Sequence, residues 1–63
     1  MSEFMLAIMR MNDDELLEYL INKAEDRAVY VNSRSRITED DWHVIDHYTT
    51  EIESIKSELK RRM

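Results

Sequence analysis

The chain writes one short pattern twice, as "MNDDEL" at residues 11–16 and as "ITEDDW" at residues 37–42. Each copy runs apolar residue, capping residue, three acids, apolar residue. The pattern is the start of a helix. A helix begins with backbone N–H groups that have no partner in the first turn, and the side-chain oxygen of Asn12 or Thr38 can accept from one of them. Glu15 and Asp41, each three residues on, can reach back to the cap's own N–H and close a capping box. Met11 with Leu16, and Ile37 with Trp42, are placed to pack across the cap as hydrophobic staples. The acids also lie at the positive ends of the helix dipoles. Two helices are therefore predicted, near residues 13–31 and 39–62.

What joins them is equally constrained. The chain has no glycine and no proline in 63 residues, and these are the residues that punctuate turns and strands. An all-α fold with plain, short connections follows. "NSRSR", residues 32–36, is the link, and Asn32 is expected to end the first helix in a left-handed cap. So short a link predicts an antiparallel helical hairpin. The charges agree: residues 13–31 sum to −4 and residues 39–53 to −6. In the antiparallel pairing "KRR" falls beside "NDDE" and "RSR" beside "TEDD", so each basic end meets an acidic start.

In the second helix Ile45, Tyr48, Ile52, Ile55 and Leu59 recur at alternating spacings of three and four, which is a heptad seam. Trp42, Thr49, Lys56 and Met63 flank it on one side. In the first helix Leu16, Leu17, Leu20, Ala24, Ala28 and Val31 form a broader stripe, suited to a bundle. A chain this small with no cysteine cannot use a disulfide and needs another staple, for which self-association is the expected one. Two hairpins packing as a dimeric four-helix bundle is the predicted form. The interface is expected to use Leu17, Leu20, Ala24, Trp42, Ile45, Tyr48, Ile52, Ile55 and Leu59. Trp42 is read either as a staple on Ile37 or as a binding hot spot.

Residues 1–11 form an apolar N-terminal segment whose order the sequence leaves open. "MSEF" reads as partly a cloning scar, with Met5 or Met11 as alternative starts. "FMLAIM" is too short for a signal peptide or for the roughly 20 residues of a membrane span. It reads as a short helix or lead-in strand covering the open side of the hairpin. A cytoplasmic location is expected.

Little of the chain suggests chemistry. His43 and His47 are one turn apart with Asp40 on the same side, but two imidazoles and a capping carboxylate fall short of a zinc site. They are read as surface histidines, and no metal or cofactor is expected. Neither a cysteine nucleophile, a glycine-rich phosphate loop nor a nucleophile elbow is present, so an enzyme is not expected. Direct nucleic-acid binding is not expected at a net charge of −5, since such binding needs a basic stripe. The length and architecture are nevertheless similar to those of the Rop-type RNA-binding hairpins of plasmid copy control.

A second resemblance rests on Ile37, Asp40, Trp42, Ile45, Tyr48, Ile52, Glu53 and Leu59. Over about one helix this series resembles the coiled-coil segment of the small RecBCD-inhibitor family of short-tailed phages. That resemblance implies an acidic coiled coil that imitates DNA and blocks a nuclease, with Asp40, Asp41, Asp46, Glu51 and Glu53 as the imitating carboxylates. The primary expectation from the residues themselves is a small non-enzymatic interaction protein. It self-associates and acts by occupying the surface of a protein partner that the sequence does not identify.

Overall fold

The computed structural model describes residues 2–63, which form three helices and, among the described residues, no strand. Helix α1 spans Glu3–Arg10, α2 spans Asp13–Asn32 and α3 spans Glu39–Arg62. The fold is all-α, as the missing glycine and proline require. It holds one helix more than the hairpin read from the sequence. The apolar N-terminal segment, apart from Met1, which lies outside the described residues, forms α1 and its joint to α2. None of the helices is long and apolar enough to cross a membrane.

Both capping boxes form. Asn12 Oδ1 accepts from the Glu15 N–H at 2.8 Å, and the Asn12 N–H donates to Glu15 Oε1 at 3.0 Å. Thr38 Oγ1 accepts from the Asp41 N–H at 3.2 Å, and the Thr38 N–H donates to Asp41 Oδ2 at 3.0 Å. Ser2 caps α1 by accepting from the Met5 N–H at 3.1 Å. Met11 and Asn12 are both extended, so two residues turn the chain from α1 into α2.

Helix α2 ends differently from the expected left-handed cap. No described residue has a positive φ, so Asn32 is not a left-handed cap. It is the last helical residue, and Ser33 takes over with right-handed geometry. Its N–H donates to Val29 O at 2.9 Å and its hydroxyl to Tyr30 O at 2.9 Å. A serine that satisfies these orphan carbonyls removes the need for a residue tolerant of the left-handed region.

The helices α2 and α3 run antiparallel. Their levels are fixed by contacts of Asp13 with Arg62, Lys23 with Glu51, Arg27 with Thr49 and Tyr30 with Asp41. Helix α1 lies across one side of this pair. Its Ile8 is fully buried against Leu16 and Ile55, with Phe4, Met5, Met11, Tyr19, Leu20 and Leu59 packed around the three. Phe4 meets Tyr19 edge-on, with ring centroids 6.1 Å apart. This meeting of three helices is the core, and Ile45 and Ile52 extend it along α3.

Candidate interaction face

The heptad seam of α3 is used up inside the chain. Ile45, Ile52 and Ile55 are buried and Tyr48 and Leu59 are half-buried against α2 and α1. These predicted interface residues therefore make the monomer's own core. Helix α2 contributes a narrower and more polar row than its apolar stripe suggested. Leu16 is buried, while Leu20, Lys23, Arg27 and Tyr30 are half-buried.

Polar groups turn toward α3 because each finds a partner there. The Lys23 ammonium lies 3.1 Å from Glu51 and between the faces of Tyr19 and Tyr48, at 5.5 and 5.7 Å. The Arg27 guanidinium donates to Thr49 Oγ1 at 3.1 Å. Such long side chains cover apolar surface with their stems while the charged head is satisfied. With that row inward, the neighbouring row is left outside. Leu17, Ile21, Ala24 and Ala28, spaced four, three and four, stand on one exposed face of α2. Leu17 is 47% exposed and Ile21 55% exposed.

This row borders a groove between α2 and α3. At one end the groove is lined by Leu17, Leu59 and Met63 with Lys56 and Lys60 on its rim. Farther along it passes Ala24, Thr49 and Ile52. Leu17 and Tyr19 lie on opposite flanks of the α2 seam, and Lys56 and Ser54 on opposite flanks of the α3 seam. Helix α1, which touches Tyr19, therefore covers the other side of the hairpin and leaves this one open. Trp42 lies on the same flank of α3 as Thr49, Lys56 and Met63 and is 54% exposed. Of the predicted interface residues, Leu17, Ala24 and Trp42 are thus available on the surface.

The acidic residues divide in the same way. Asp40, Asp46 and Glu53 are exposed, but Asp41 is buried and Glu51 half-buried. Asp41 closes the capping box, accepts from the Tyr30 hydroxyl at 2.8 Å and lies 3.6 Å from Arg34. The backbone hydrogen bond from Thr38, joined by the one from Tyr30, holds its carboxyl below the usual range. Glu51 is engaged by Lys23 and lies 3.6 Å from His47. These two acids hold the fold together; they do not form a free row with the other three. His43 and His47 are exposed, and the described residues contain no group of three His, Cys, Asp or Glu placed to hold a metal ion.

A polar centre that sequence reasoning missed lies at the far end of the hairpin. Arg62 donates to the carbonyls of Ile8, Met9 and Met11 at 3.2, 3.1 and 2.7 Å, and to Asp13 Oδ1 at 3.0 Å. Its Nε also donates to Glu58 Oε2 at 2.7 Å. One guanidinium thus caps the C-terminus of α1, meets the acidic start of α2 and pairs within α3. The available signal was spacing, since Arg62 continues the series 52, 55, 59.

Hydrogen bonds from Arg61 and Arg62 pull the Glu58 carboxyl down from 4.5 to about 2. The folded chain then binds fewer protons than the unfolded one, and acid opposes folding. This contribution is complete above about pH 4.5 and disappears as pH falls through about 2. Thermal melts across that window should show Tm falling with acid, and Glu58→Gln should flatten the fall. A slope unchanged by Glu58→Gln would remove Glu58 from the account.

Comparison of the chain with protein-family models, with curated proteins and with solved structures found no match.

Proposed function

We propose that the chain is a small non-enzymatic interaction module that works by receiving a helix on its open α2–α3 face. The four-helix bundle expected from the sequence is the form this takes when the helix belongs to another copy. The observation that carries the reading is the exposed row Leu17, Ile21, Ala24 and Ala28 beside the groove between α2 and α3. Alanines four residues apart let a second backbone come close, and leucine and isoleucine supply apolar area to bury.

The dimensions support an incompletely covered unit. The accessible surface is 4872 Å², whereas a compact monomer of this mass exposes about 4300 Å². The radius of gyration is 13.0 Å, against about 11 Å for a compact chain of this length. The excess surface is of the same order as the roughly 800 Å² that each partner contributes to a stable interface.

Light scattering over a concentration series tests the reading. The wild-type chain should show a dimer mass that dilution dissociates only slowly. Ile21→Asp should leave helical content unchanged, because the residue is exposed in the single chain, and should shift the mass to the monomer. A mass indifferent to Ile21→Asp would show that this face is not where helices dock.

A further inference from the structure

Resting on that reading, we infer that the helix received by α3 is α2 of a second copy, in a parallel assembly whose two-fold axis runs along the helices. Charge placement carries the inference. The outer edge of the exposed α2 row bears Asp14, Glu18 and Glu25, all exposed. The rim of the groove on α3 bears Lys56 and Lys60, also exposed. Within one chain Leu17 lines the same stretch of groove as Lys56, Leu59 and Lys60, so residues 14–18 of α2 are level with residues 56–60 of α3.

An axis parallel to the helices keeps every residue at its own height and lays α2 of one copy over α3 of the other. Asp14 and Glu18 of each copy then come level with Lys56 and Lys60 of the other, twice per dimer. Glu25 falls near Glu53, so the attraction is concentrated at the Lys60 end and marks that end as the matched one. The other two-fold, perpendicular to the helices in the same interface, lays α2 on α2. The row Asp14, Glu18, Glu25 would then run along its own copy, like charge beside like charge. Opposed charges at an interface select orientation more than they add affinity. The partner is thus recognised as an apolar 4-3-4 row with carboxylates at its N-terminal outer edge, which this chain itself supplies.

The test uses the full chain and charge reversal. Glu18→Lys and Lys60→Glu should each raise the dimer dissociation constant about tenfold, since each acts at two symmetric sites. The double variant should recover most of the loss. Because the chain has no cysteine, Ser35→Cys, in the exposed link between α2 and α3 and outside the groove, offers a single labelling site for a distance measurement. The two labels should lie at the same end of the dimer.

Labels at opposite ends, or a double variant as weak as the sum of the singles, would overturn the parallel assembly. If the same dimer were still dissociated by Ile21→Asp, the open face would stand as the docking surface. A monomer at every concentration, or a dimer indifferent to Ile21→Asp, would overturn both.

Discussion

Arg62→Ala is expected to detach α1 and to lower Tm by more than about 10 °C. The side chain is 19% exposed and its partner Glu58 6% exposed, so the hydrogen bonds it makes are not readily replaced by water. Its loss leaves the last carbonyls of α1 without a donor and Asp13 without its cation. Removing one member of a connected charged network costs more than the loss of a single surface pair, because the remaining members are left without their partner. A domain of this size is stabilised by roughly 3–9 kcal/mol in all. Circular dichroism melts measure the loss, and Arg61→Ala is the control. Arg61 touches only Glu58 among the hydrogen-bond partners described, so its removal should lower Tm far less. If the two variants melted alike, Arg62 would be no more than another surface arginine.

The two predicted helix starts were legible because capping is local: Asn12 with Glu15, and Thr38 with Asp41, need only their own first turn. The α3 seam was legible for a related reason, as one regular apolar spacing can bury only one face. The α2 stripe was misjudged because Lys23 and Arg27 occupy seam positions. Sequence pattern counts them as outward-facing, whereas Glu51, the two tyrosines and Thr49 make them inward-facing. These partners lie 22 or more residues away along the chain, apart from Tyr19, so no local rule reveals them. The same displacement explains why Leu17 and Ala24, assigned to an interface by their apolar character, do stand on the surface. Arg62 was hidden by its neighbours, since "KRR" at a helix end reads first as dipole compensation. Only the fold shows that one of the three turns inward to hold α1.

Aspartate placed at three isoleucines should separate the chain's core from its open face. Ile55→Asp is expected to abolish folding, with helical content largely lost at room temperature. Ile55 is fully buried where Ile8 and Leu16 meet it, and no cation faces that point among the contacts described. A carboxylate there either stays charged without a partner or takes up a proton, and either route costs several kcal/mol. That equals most or all of the stability of so small a domain. Ile52 is 9% exposed and borders the groove, so Ile52→Asp can turn partly toward water and should be destabilised while retaining residual helix. Ile21 is 55% exposed, so Ile21→Asp should fold and lose only association. Circular dichroism and light scattering on the three variants give both readouts. The order Ile55, Ile52, Ile21 in lost helicity follows from burial within a single chain. Were all three to unfold alike, folding and association would be one event and the single chain would have no core of its own. If Ile55→Asp instead kept its helices, the meeting point of α1, α2 and α3 would not be what holds them together.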